Sequence, residues 1–158
     1  MNAPIIYDHN ELIVSIAEYK SENKTIVFTN GCFDMLHNGH VLYLEKAKEF
    51  GDILLVALNT DQSVRQLKGK DRPIFPLEDR ASVISAMRSV DVVTAFSSET
   101  PYELVNLVKP DVLVKGGDYS PDSIVGANTV LENGGRVEVV PYIENRSTTA
   151  LINKIKQL

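Results

Sequence analysis

Tryptophan is missing from the 158 residues, and cysteine occurs once, at Cys32. One cysteine forms no internal disulfide, so the chain is not a stapled secreted scaffold and its stability must come from apolar packing. No uninterrupted apolar run approaches the ~20 residues of a membrane span. Met1-Asn2-Ala3-Pro4 places no basic region ahead of an apolar one, so no secretory signal is read, and a cytoplasmic location is expected. Basic residues are not in excess either. Sixteen Lys and Arg face 21 Asp and Glu, a formal net charge of −5, which argues against a protein devoted to nucleic acid. Linkers, repeats and low-complexity tracts are lacking, as are the Walker loop and the G-x-G-x-x-G fingerprint.

What is present is an alternation of short apolar runs and amphipathic segments. Asp8 with Glu11 forms a capping box for a leading helix, whose stripe Leu12, Ile13, Ile16, Ala17 reaches about Tyr19. That helix carries no polar constellation and reads as packing or an oligomer contact; a homodimer or higher homo-oligomer is left open. Strands are expected at Thr25–Thr29, Ile53–Leu58, Val92–Phe96, Val112–Val114 and Val137–Val140. The second has no polar alternation, as in a strand covered on both faces. Between them, helices are expected at Val41–Phe50, Thr60–Leu67, Leu77–Val90, Pro101–Val108 and Ser120–Leu131, and a last one runs from a Ser147 cap through Ile155. This order implies right-handed crossovers and a parallel sheet. The fold class is α/β, a doubly wound five-stranded sheet in a single domain over residues 1–158, with residues 1–24 as the leading helix. Ligands of such sheets bind beyond the carboxyl ends of the strands. The polar clusters Asn30–His40, Asn59–Asp61, Lys115–Asp118 and Asn145–Thr149 all fall there.

The densest of these is Asn30-Gly31-Cys32-Phe33-Asp34-Met35-Leu36-His37-Asn38-Gly39-His40. Two histidines three residues apart at a helix start share a face. Gly39 lets a ligand approach the backbone, and a helix N-terminus after a strand favours anions. Imidazole donors, free N–H groups and the helix dipole therefore converge on a phosphate site. A zincin would need a four-residue step and a glutamate after the first histidine; here the step is three and Asn38 follows.

Gly31 to His40 resembles the G-x-F-D-x-x-H-x-G-H signature of the cytidylyltransferase-like nucleotidyltransferases, whose fold is Rossmann-like. The resemblance implies transfer of a nucleotidyl group from a nucleoside triphosphate to a phosphorylated acceptor, without a covalent intermediate. Lys115-Gly116-Gly117-Asp118-Tyr119, Leu67-Lys68-Gly69 and Arg72-Pro73-Ile74 resemble the adenylyltransferase domain of the bacterial heptose-1-phosphate enzymes. That domain is often fused to a sugar kinase; the length here suggests a stand-alone form. The implied reaction is ATP plus D-glycero-D-manno-heptose 1-phosphate giving ADP-heptose and pyrophosphate, a step toward lipopolysaccharide core. Two rivals remain, a glycerol-3-phosphate-type cytidylyltransferase and a nucleotide-binding sensor without turnover.

The resemblance assigns His37, His40 and Lys68 to catalysis. It assigns Thr29, Asn30, Gly31, Phe33, Asp34, Gly39, Asp61, Lys70, Ser147, Thr148 and Thr149 to the nucleotide. Ser147-Thr148-Thr149 is also an ordinary helix cap. Arg80, Arg88, Asp91, Lys115, Gly116, Gly117 and Asp118 are assigned to the acceptor, though Gly116-Gly117 alone is a common turn. Lys68, Lys70 and Arg72 sit in a Gly/Pro loop that reads as a lid over phosphates. Mg²⁺ is expected with the triphosphate, held mainly by phosphate oxygens and by Asp34 or Asp61. A sugar phosphate is largely dianionic near neutral pH, its second pKa being ~6, so no general base is required.

Overall fold

A computed structural model describes residues 1–157 apart from 118, 121, 122 and 142–147, with backbone alone at 149 and 150. Five parallel strands, β1 (Ile26–Gly31), β2 (Ile53–Asn59), β3 (Val92–Phe96), β4 (Val112–Gly116) and β5 (Arg136–Val140), lie in the order β3-β2-β1-β4-β5. The helices are α1 (His9–Ser21), α2 (Asn38–Lys48), α3 (Asp61–Lys68), α4 (Leu77–Ser85), α5 (Tyr102–Val108), α6 (Ala127–Glu132) and α7 (Thr148–Ile155). This is the doubly wound α/β arrangement expected.

Each strand feeds both faces of the sheet because its side chains alternate. Ile26 and Phe28 of β1, Leu55 and Ala57 of β2 and Leu113 of β4 face one layer, packed with Leu12 and Ile16 of α1, Leu104 and Val108 of α5 and Val130 of α6. Val27, Leu54, Val56, Leu58 and Val114 face the other, against Leu44 and Ala47 of α2 and Ala81 and Ile84 of α4. The leading helix is therefore part of the core. Asp8 caps it, accepting from the N–H groups of Asn10 and Glu11. Ahead of it the chain runs along β3, with Ile6 N–H donating to Val93 and Val93 N–H donating to Pro4.

Two helices are shorter than their apolar patterns. α4 stops at Ser85 rather than Val90, because Met87 and Val90 donate back only three residues, to Ile84 and Met87. Both still pack in the core, so the pattern persists through turns. The segment read as helix from Ser120 becomes regular only at Ala127, after Gly126 at φ 89°.

The sheet parts where the order switches. β1 matches β2 along six residue pairs but meets β4 only at Val27–Val112 and Phe28–Leu113. Beyond Phe28 the two strands are bridged by a side chain. Tyr43 of α2 donates its hydroxyl proton to the Val114 carbonyl at 3.2 Å and accepts from the Thr29 hydroxyl at 2.6 Å.

Gly135, which starts the run into β5, has no room for a side chain: an added Cβ would lie 2.5 Å from the Asp111 carbonyl oxygen and 2.7 Å from Val130. Gly135→Ala should destabilise the fold by about 1–3 kcal/mol, as overpacking against backbone does; chemical denaturation read by circular dichroism checks it.

Candidate active site

A cleft of about 1190 Å³ opens at the carboxyl ends of the strands, where β1 and β4 diverge. Its floor is the turn from β1 into α2. His37 is the N-cap of α2, and its Nδ1 accepts the Gly39 N–H at 3.1 Å. His40 returns the arrangement, its Nδ1 accepting the His37 N–H at 3.3 Å. Imidazoles thus take both parts of a capping box usually made by a hydroxyl and a carboxylate. The rings lie 4.0 Å apart, centroid to centroid, inclined by 31°.

This geometry fixes the tautomers. A backbone N–H only donates, so each Nδ1 must be bare and each ring proton sits on Nε2. Burial, reinforced by the nearby His37, pushes the His40 pKa down to about 4. At neutral pH His40 is therefore an uncharged donor. Phe33 packs beside it, centroids 5.4 Å apart, with its backbone at φ 44°. A Cβ on Gly31 would stand 2.9 Å from the Phe33 ring, so glycine is needed there for this packing.

The other strand ends complete the walls. Asn30, Asp34, Gly39, Lys68, Lys115, Gly116 and Thr148 line the cleft with Gly31, Phe33, His37 and His40, so these assigned residues are brought together. Lys115 donates to the Asn30 side chain at 3.3 Å, and burial, with Lys68 adding to it, lowers its pKa from the ordinary lysine value. Thr148 opens α7 and donates to the Met35 carbonyl at 3.0 Å, which ties that helix start to the histidine turn.

A family model described as cytidylyltransferase-like matches residues 28–154. The chain belongs to the cytidylyltransferase-like family. It is similar to the bifunctional protein HldE of Geobacter metallireducens, 52% identical over 136 residues, 86% of this chain and 28% of that protein. The bifunctional protein HldE of Coxiella burnetii is 49% identical over 150 residues, 95% of this chain and 32% of that one. The chain thus spans about three-tenths of the length of these relatives. Among solved structures, the lipopolysaccharide core biosynthesis protein from Thermoplasma volcanium is 30% identical with a TM-score of 0.61, over 78% of this chain and 99% of that one. A pantoate-beta-alanine ligase from Francisella tularensis, complexed with beta-gamma ATP and beta-alanine, shares the fold at 17% identity and a TM-score of 0.63, over 99% and 78% of the two chains.

Several assigned residues of this cytidylyltransferase-like domain have other work. The Thr29 side chain is fully buried, gives its hydroxyl to Tyr43 and is not among the residues that line the cleft, so it supports the floor from beneath. Arg80 is also buried, its three nitrogens donating to the Phe75 carbonyl, the Cys32 carbonyl and Asp61 at 3.0, 2.6 and 2.7 Å. It is a strut under the loop and is not among the residues that line the cleft. Asp91 pairs with Lys48 and accepts the Leu54 N–H at the start of β2. Leu54 lies five residues from Asn59, about 16 Å along a strand, so Asp91 and the exposed Arg88 sit at the far edge of the sheet from the cleft. Gly117 spends its N–H on Val140, and Lys70 is exposed in the turn after α3, outside the cleft lining. Asp118 and Ser147 lie outside the described residues, as does the Thr149 side chain.

Both carboxylates named for Mg²⁺ are engaged by arginine. Asp34 accepts from Arg72 and from the N–H groups of Ile74 and Phe75. Burial raises its pKa, but the hydrogen bonds from Phe75, Ile74 and Arg72 outweigh that and hold it below the usual carboxylate range. Asp61 is paired with Arg80. Among the described residues no group of three or more His, Cys, Asp or Glu could hold a metal ion. The same bonds pin the far half of the loop read as a lid, leaving Lys68 to Asp71 outside the clamp.

Tyr43 and Glu99 were not singled out from the sequence, yet both line the cleft, as do Asn59 of the polar cluster after β2 and Arg72 of the loop read as a lid. Tyr43 follows His40 by three residues on one helix face, a spacing that could have flagged it. Asn59 ends β2 in a polar cluster. Nothing in the sequence marks Glu99.

Arg80→Met should lower stability by about 3 kcal/mol, since it strands two carbonyls and Asp61; urea unfolding tests this. The folded pKa of His40 is below its unfolded value of 6.5, so its contribution to stability is present above pH 6.5 and lost as pH falls toward 4. His40→Gln should flatten that part of the stability profile between pH 7 and 4.5.

Proposed function

We propose that this domain transfers AMP from ATP to D-glycero-D-manno-heptose 1-phosphate, releasing pyrophosphate and forming ADP-heptose for lipopolysaccharide core, in the cytoplasm. The observation that carries the reading is the tautomer lock: two Nε2-protonated imidazoles beside one another at the start of α2, in a cleft that also receives Lys68, Lys115 and the first turn of α7. The choice of acceptor is supported by kinship at about half identity with HldE proteins and by similarity to the lipopolysaccharide core biosynthesis protein from Thermoplasma volcanium.

In this reading the sugar phosphate attacks the α-phosphorus as an already charged nucleophile, and the domain positions the two substrates and stabilises developing charge. His40 donates its Nε2 proton as a hydrogen bond to the phosphate oxygens, with His37 beside it. As neutral donors the rings polarise without fixing the anion too tightly in the ground state. Lys68 supplies a positive charge at the rim. Lys115, partly desolvated and held by Asn30, supplies a second from the β4 side. A divalent ion bound to the triphosphate would neutralise it further; the carboxylates of this cleft do not provide its cage.

Pyrophosphate release from a panel of nucleoside triphosphates and phosphorylated acceptors tests the proposal. ATP with the heptose phosphate should give the highest kcat/KM. A preference for CTP with glycerol 3-phosphate would favour the other acceptor class, and binding without release would favour a sensor. His40→Ala should lower kcat by about 10²–10³ in a folded protein, the loss typical of removing one oxyanion donor.

A further inference from the structure

Arg72 stands in the wall of the cleft with, among the described residues, only one of its guanidinium nitrogens in use. Its Nε donates to Asp34 Oδ2 at 2.5 Å, and its side chain is 15% exposed against 1% for Asp34. Arginine facing a carboxylate commonly engages it with two parallel N–H groups. Here the second carboxylate oxygen is taken. Oδ1 accepts the N–H of Ile74 at 2.8 Å and of Phe75 at 2.9 Å. The guanidinium is therefore held end-on, and among the described residues both Nη groups lack a protein partner. An arginine wanted only to neutralise Asp34 would use the fork; this one keeps four N–H groups in reserve, in a cleft that also holds Lys68 and Lys115.

Resting on the nucleotidyl-transfer reading, we propose that Arg72 is a substrate-binding residue whose Nη edge grips a phosphate group of one of the two substrates, and that Asp34 is a positioning residue that aims it. The rigid fork matches phosphate oxygens two at a time, which a lysine at the same place does not. Asp34 also anchors the backbone of residues 74 and 75, so the loop and the guanidinium are set by one carboxylate. That anchoring removes most of the ordering cost of a long side chain before substrate arrives.

The test is steady-state kinetics of Arg72→Gln, Arg72→Lys and Asp34→Asn, with calorimetric titration of ATP and, separately, of the heptose phosphate. Losing the charge-assisted fork should raise KM and Kd for one substrate by about 10–100-fold in Arg72→Gln. A rise confined to ATP assigns the triphosphate; a rise confined to the sugar phosphate assigns the acceptor. Arg72→Lys should fall between wild type and Arg72→Gln. Asp34→Asn should weaken the same substrate, and adding it to Arg72→Gln should weaken that substrate no further, whereas a purely structural Asp34 would give additive losses in melting temperature without a substrate-selective KM. Should Arg72→Gln fail to fold, the lysine variant carries the comparison, with at least fivefold weaker binding of one substrate expected. KM and Kd within twofold of wild type for both substrates in a folded variant would overturn the assignment. A wild type that binds either ligand but never releases pyrophosphate sinks the transfer reading and leaves the Arg72 titrations decisive; one that binds neither overturns both.

Discussion

Two hydrogen bonds from backbone N–H groups to imidazole Nδ1 atoms hold the rest of this site in order. They start α2, satisfy amides that a helix N-terminus leaves without partners, and remove the choice of where each ring proton resides. Replacing either ring by a residue that cannot accept at that atom would loosen the helix start and the donor together. Local structure and chemistry are one arrangement here. The low pKa of His40 is part of it, because a protonated ring could no longer accept the His37 N–H.

Around this turn lies a layer of buried and half-buried polar groups that hold one another. Arg80 joins the loop after β1 to α3 and to Phe75, Asp34 gathers residues 72–75, and Thr29 with Tyr43 spans the gap between β1 and β4. Each uses charge or a hydroxyl where an apolar side chain would leave carbonyls or amides unsatisfied. Rigid support of this kind keeps donors at fixed distances without help from the substrate.

The sheet was readable because buried parallel strands are uninterrupted apolar runs: β3 has the expected limits, and β2 differs by one residue. Helix ends were less readable. Met87 and Val90 continue the apolar period of α4 after the helix has ended, since a turn buries them as well. At the site, the histidine turn was legible because its chemistry is local, three residues apart in one helix start. The settings of Arg80, Asp34 and Asp91 were not legible, for the opposite reason. Their charges suggested ligands, and their partners, Cys32 and Asp61, Arg72, and Lys48 with Leu54, lie 19 to 48 positions away in sequence. No spacing rule reveals such pairings.

The early parting of β1 from β4 has a consequence for the breadth of the mouth. Only two residue pairs join those strands before the phenol of Tyr43 takes over as a spacer. The gap is thus crossed by side chains rather than by a ladder, by the Tyr43 phenol and, farther out, by Lys115 reaching Asn30. A family built on this plan could widen or narrow its opening by changing these bridging side chains while leaving every strand in register.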